Sequence, residues 1–140
     1  MIGKLVLDKK LRAKIAREAR AAAPRECCGL IEGDLRDNEA RTTAVHPVRN
    51  LATAPDRFEI DPAEHIRLLR QARETRRAII GCYHSHPNGK PEPSRYDREN
   101  ASDDEFIWLI ASLVNDDVDL RAYVCNAGAF VAVILRDKPA

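Results

Sequence analysis

Two histidines, a serine and an aspartate stand close together between Gly81 and Asp97, in the run Gly-Cys-Tyr-His-Ser-His-Pro-Asn-Gly-Lys-Pro-Glu-Pro-Ser-Arg-Tyr-Asp. His84 and His86 are two apart. On a β-strand that spacing puts both rings on one face, with backbones roughly 6.6 Å apart. Imidazole nitrogens bind zinc at about 2.0–2.1 Å, and two rings leaning from one face can meet at one ion. Ser94 and Asp97 are three apart and share a face if the segment is helical. Two imidazoles and one carboxylate make three protein ligands with a fourth position open, the count of a catalytic zinc site rather than a closed structural one. Taken singly, each residue has a plainer reading as a polar strand end or a serine that only caps a helix. The combination favours the metal.

The elements around these residues are set up to hold them. Ala78, Ile79, Ile80 and Gly81 form an apolar run ending in Tyr83, the pattern of a buried strand that delivers His84 and His86 at its end. Pro87 has no N–H to donate and stops the ladder. Asn88-Gly89 and two more prolines turn the chain, and Ser94 reads as the N-cap of a short helix that carries Asp97.

His84-Ser85-His86-Pro87, the ten residues separating His86 from Asp97, and Ser94 three before Asp97 resemble the JAMM (MPN-plus) zinc metalloprotease motif. That motif also requires an upstream glutamate. Glu26 stands at the matching place in Pro24-Arg-Glu-Cys-Cys-Gly-Leu-Ile-Glu-Gly33, which resembles the family's first-helix-to-strand junction, and Arg57 to Glu64 is similar to the small prokaryotic members. The resemblance runs roughly from Leu5 to Leu135. It implies a cytidine-deaminase-like core, Zn2+ held by His84, His86 and Asp97, Glu26 as general base, and Ser94 as a donor to the oxyanion. Spacing alone leaves Glu26 a surface carboxylate, so its role rests on the resemblance. Glu32 and Glu59, its neighbours in the competition, read as structural.

The implied reaction is zinc-promoted hydrolysis of an amide bond, with Glu26 taking the water proton and passing it to the leaving amine. A Ser94 hydrogen bond to the oxyanion would be worth roughly 3–4 kcal/mol of barrier. Family members cleave after the C-terminal Gly-Gly of ubiquitin-like proteins, and small bacterial members resemble hydrolases of sulfur-carrier proteins. The implied partner is therefore a ubiquitin-like or sulfur-carrier protein ending in Gly-Gly. Glycine lets a backbone approach the ion closely, and such a tail could add as a strand beside the 47–60 segment or the loop after the motif helix. Two further readings stand beside this one: the same chemistry on ubiquitin conjugates or on a phage-tail-type cell-wall substrate, and a non-catalytic MPN scaffold of the kind that has lost its ligands. All five motif residues are present here. Other signatures are missing: there is no His-Glu-x-x-His helix, no deaminase Pro-Cys-x-x-Cys and no Gly-x-Ser-x-Gly elbow.

With 140 residues, a single domain over residues 1–140 is expected. A net charge of +1 gives no electrostatic case for nucleic acid or an acidic membrane. The N-terminus is charged too early for a signal peptide, and no apolar run nears the roughly 20 residues of a membrane span. Four cysteines in a chain this long do not suggest a disulfide framework. A cytoplasmic location is the expectation, and oligomeric state stays open, a homodimer included.

In chain order, Leu5 to Leu7 reads as a strand, and Asp8 caps a helix from Lys9 to about Ala22 with Leu11, Ile15 and Ala19 as its stripe. Cys27 to Gly33 is a strand, Asp34 to Asn38 a turn, and Ala40 to Val48 an edge-like strand. A loop from Val48 to Asp56 leads to a strand at Arg57–Ile60. Asp61-Pro62 starts a helix to about Glu74, with Ile66, Leu69 and Ala72 or Arg73 inward and His65 solvated. Glu105 to Val114 reads as a central strand, followed by a hairpin of Leu120–Cys125 and Ala129–Leu135. Cys27 and Cys28 read as small buried thiols, Cys82 as packing beneath the site, Cys125 as core, and His46 as lightly packed and no ligand. The sum is a mixed α/β (α+β) fold with a single curved mixed sheet flanked by two main helices.

Overall fold

The computed structural model of the chain describes residues 1–101 and 104–138. Among them lie seven strands and three helices in the order β1 (Lys4–Val6), α1 (Lys9–Ala22), β2 (Cys28–Arg36), β3 (Glu39–Val48), α2 (Pro62–Glu74), β4 (Ala78–His86), α3 (Arg95–Asn100), β5 (Ile107–Ser112), β6 (Asp119–Asn126) and β7 (Ala129–Arg136). The spatial order is β1-β3-β2-β4-β5-β6-β7, and the sheet closes into a barrel. Short β1 makes the closure, pairing parallel with β3 on one side and β7 on the other. The parallel β4–β5 pair makes the sheet mixed. The expected mixed sheet and two main helices are present; closure goes beyond the curved sheet expected from the sequence.

The two faces of the sheet carry separate apolar layers. On one, Ile15 and Ala19 of α1 pack with Leu5, Ile31, Tyr83 and Leu109. On the other, Leu68 and Ala72 of α2 cover Leu30, Ile79, Cys82 and Trp108. Burial on both faces explains why β4 reads as an almost continuous apolar run. Its pairing with β2 skips Ile80, since Ile31 faces Gly81 and Glu32 faces Ile79. This bulge turns Ile79 and Cys82, three apart, to the same side. From Cys82 onward the alternation is regular, and it carries His84 and His86 to the α2 side. On the α1 side the Tyr83 ring lies over Gly29, where a Cβ would fall 2.2 Å from Tyr83 Cζ. The ring can lie there only because Gly29 has no side chain.

Several expectations need correction. Arg57–Ile60 is not a strand: only an isolated bridge joins Asn50 and Ile60. The Asn50 side chain instead takes the Arg57 carbonyl and the Glu59 N–H, so no strand partner is needed. β3 is not an edge over Glu39–Arg41, because β1 lies beside it. The inward stripe of α2 is Leu68 and Ala72, while Ile66 is 50% exposed. His65 is half-buried, its ring 6.5 Å from that of Phe106. Of the adjacent thiols Cys28 is buried and Cys27 only partly, and all four cysteines are free.

Candidate metal centre and active site

The last turn of the site is built by local rules. Ser94 caps α3: its Oγ accepts from the Asp97 N–H at 3.0 Å, and its own N–H donates to Asp97 Oδ2 at 2.9 Å. This reciprocal capping box fixes the Asp97 carboxylate at 1% exposure. The Ser94 hydroxyl oxygen is used as an acceptor, which leaves its O–H free to donate. At the end of β4, His84 is fully buried and His86 is 7% exposed.

Three atoms converge. His84 Nε2, His86 Nε2 and Asp97 Oδ2 form a triangle with every side 3.1 Å. Ligands at about 2.0–2.1 Å in a tetrahedron stand roughly 3.3 Å apart. His86 Nδ1 donates to the Lys90 carbonyl at 2.8 Å, so its Nε2 presents a lone pair to the centre. His84 Nδ1 is buried without a partner among the described residues. Lone pairs on two ring nitrogens and a carboxylate oxygen, aimed at one point inside the protein, repel unless a cation lies between them. The donor set and its dimensions fit a zinc ion.

Electrostatics agree. Burial would raise the Asp97 carboxyl, but the two imidazoles beside it and the N–H donated by Ser94 hold it well below the usual range. Burial pushes His84 down, favouring neutral imidazole. Burial also acts against a proton on His86, but Asp97 and the Lys90 carbonyl outweigh it and raise that ring.

Glu26 enters from the residues just before β2. It is 6% exposed, and burial pushes its carboxyl up to about 7, with His86 pulling the other way and Asp97 and Asp56 adding to the rise. One carboxylate oxygen lies within 4.8 Å of nitrogens of both His84 and His86. That trio could by itself hold a metal, but Asp97 sits much tighter, at 3.1 Å from both rings. Asp97 closes the triangle, and Glu26 stands beside it, within 4.8 Å of both rings. Glu26, His86 and Ser94 line a cavity of about 410 Å³, with Pro55 and Asp56 on its wall. The structure thus brings together all five residues singled out in the sequence. Glu32 instead pairs with His46 at 3.1 Å, as a structural residue does, and Glu59 is exposed.

Other contributors were not singled out. Phe58 stacks on the His84 ring with centroids 4.3 Å apart, and Trp108 meets the same ring edge-on at 5.7 Å. The two aromatics wall off the buried imidazole. They also border a second cavity, of about 500 Å³, floored by Cys82 and Leu30. Ser85, between the histidines, points to the α1 side, where its Oγ accepts from the Cys27 N–H at 2.8 Å. Its place inside His-Ser-His was a signal; nothing local marks Phe58 or Trp108.

Residues 8–126 match the family described as Prok-JAB, prokaryotic homologs of the JAB domain. A desampylase from Haloferax volcanii is 40% identical over 115 residues, which is 78% of this chain and 81% of its own length. A CysO-cysteine peptidase from Mycobacterium tuberculosis is 25% identical over 126 residues, 89% of this chain and 85% of its own. The solution structure of a protein from Desulfitobacterium hafniense shares the fold with a TM-score of 0.87 at 28% identity, over 100% of this chain and 94% of that one. This chain therefore belongs to the Prok-JAB family and is an enzyme of the JAMM type.

Proposed function

We propose that this chain, acting as one domain, is a zinc-dependent peptidase or isopeptidase that cuts the amide bond after the C-terminal Gly-Gly of a ubiquitin-like or sulfur-carrier protein. The observation that carries the reading is the 3.1 Å triangle of His84, His86 and Asp97, with Glu26 facing it across a shared cavity. The names of the relatives, a desampylase and a CysO-cysteine peptidase, support the substrate class.

His84, His86 and Asp97 would hold the ion. When bound, zinc polarises a carbonyl oxygen and lowers the pKa of water from 15.7 towards about 7. Glu26 takes the proton of the attacking water and returns it to the leaving amine. Its carboxyl, pushed up to about 7, holds a proton easily near neutrality. The free Ser94 O–H donates to the developing oxyanion, and the capping box keeps that hydroxyl in place. Phe58 and Trp108 shield His84 from water.

The test is direct. The zinc-loaded protein is incubated with carrier proteins extended past Gly-Gly, by peptide or by isopeptide linkage, and products are weighed by mass spectrometry. Release of the carrier ending in Gly-Gly is the expected result. Stoichiometric zinc without cleavage of any such substrate sinks the reading and leaves a metal-binding scaffold.

A further inference from the structure

Glu26 does its work only if its carboxylate is held at a fixed distance from the metal centre, and the peptide unit that carries it is gripped at both polar atoms. The Glu26 carbonyl accepts from Asn50 Nδ2 at 3.0 Å, and the next N–H, that of Cys27, donates to Ser85 Oγ at 2.8 Å. Both grips are side chains, and neither is part of a sheet ladder.

Asn50 is also the hub of the segment that follows it. Its second amide hydrogen goes to the Arg57 carbonyl at 3.1 Å. Its Oδ1 accepts from the N–H groups of Ala52 at 2.9 Å and Glu59 at 3.0 Å. An amide side chain has two donors and two acceptor sites, and Asn50 uses all four: one on Glu26, three on the 52–59 loop. The same loop supplies Pro55 and Asp56 to the wall of the Glu26 cavity and lays Phe58 on His84. Aspartate in place of Asn50 would keep both acceptors and lose both donors.

Building on the proposed peptidase reading, we infer that Asn50 is a positioning residue for Glu26, one that locks the general base to the 52–59 loop so that the wall of the substrate cavity and the base move as one body. A substrate tail seated against that loop therefore sets the base as well as the scissile bond.

The test compares wild type, Asn50→Asp and Asn50→Ser, all zinc-loaded, on a Gly-Gly-extended carrier. Both variants lose the amide donor to the Glu26 carbonyl, since aspartate has none and the serine hydroxyl is carried on a shorter side chain; serine also covers the case in which the added charge unfolds the loop. The expected result is kcat lowered roughly 10- to 100-fold, with KM within about threefold and zinc stoichiometry unchanged. Ser85→Ala releases the other end of the same peptide unit. Combined with Asn50→Ser it should cost much less than the product of the single losses, because one grip already freed cannot be freed again. A kcat equal to wild type, or losses that multiply, overturns the assignment, as does a rise in KM with kcat retained. If wild type itself cuts nothing, the peptidase reading fails; if wild type cuts and the Asn50 variants match it, only this inference fails.

Discussion

Glu26 and Asp97 are both buried carboxylates, yet they are pushed in opposite directions. Asp97 lies against two imidazoles, accepts a backbone N–H from Ser94 and is held low. Glu26 has a buried Oε1 with no partner among the described residues and is pushed up to about 7. The first suits a permanent anion, the second a group that takes a proton and gives it back. Glu26→Gln is expected to lower cleavage by about 10²-fold or more while zinc content, read by elemental mass spectrometry, stays at one per chain. Loss of zinc in that variant would make Glu26 a ligand and end its role as base. A second carboxylate offers a pH test away from the site. Burial raises Glu18 above 4.5, partly offset by the Tyr83 hydroxyl at 2.6 Å and by Lys14 and Arg17. The folded chain then holds this proton more tightly than the unfolded one, so its contribution is greatest below pH 4.5 and is lost as pH rises through the folded value. Glu18→Gln keeps an acceptor for Tyr83, and its melting temperature should fall less steeply than wild type above that pH. Parallel curves would refute this.

The helices and strands show where periodicity suffices and where it does not. α1 was readable because Asp8 caps it and Ile15 and Ala19 repeat on one face; both are fully buried. Asp61 and Pro62 bound α2 correctly, and of the expected inward residues Ala72 is buried and Leu69 partly so, while Leu68 takes the place expected of Ile66. Its apolar and long polar residues offer two stripes of similar strength, and contact with Ile79 and Trp108 selects the one with Leu68 and Ala72. Leu68→Ala should therefore cost about 2–5 kcal/mol, against under about 0.5 kcal/mol for Ile66→Ala, measured by urea denaturation. Equal losses would put α2 back in the other orientation. Residues 57–60 look like a strand because they alternate, but alternation does not provide a neighbour. The Asn50 side chain, seven or more residues back in the chain, takes the Arg57 carbonyl and the Glu59 N–H instead, and the Leu51 N–H takes the Glu59 carbonyl.

In the folded chain the centre joins β4 to α3, while Glu26 comes from the residues that lead into β2, beside β4. Binding of metal to such a site belongs to the folded state and not to the unfolded chain. Zinc at 100 times its dissociation constant adds about 2.7 kcal/mol, which is several degrees of melting temperature for a chain of this size. A chelator should remove that gain from wild type and change nothing in Asp97→Ala, as followed by thermal unfolding. A wild-type curve indifferent to chelator would deny the ion a place in the structure.

The chemistry of the centre was readable before folding because it is local. His-x-His on a strand and Ser-x-x-Asp at a helix start each fix their own geometry within a few residues, through strand alternation and a capping box. Glu26 could be named only by its resemblance to a motif, since nothing nearby distinguishes it from Glu32 or Glu59. Its burial, its approach to within 4.8 Å of the histidines and its grip by Asn50 and Ser85 all arise from contacts between distant segments. The closure of the sheet by β1 and the stacking of Phe58 on His84 are of the same kind. Such contacts depend on which surfaces meet when the chain packs, and no run of neighbouring residues encodes that.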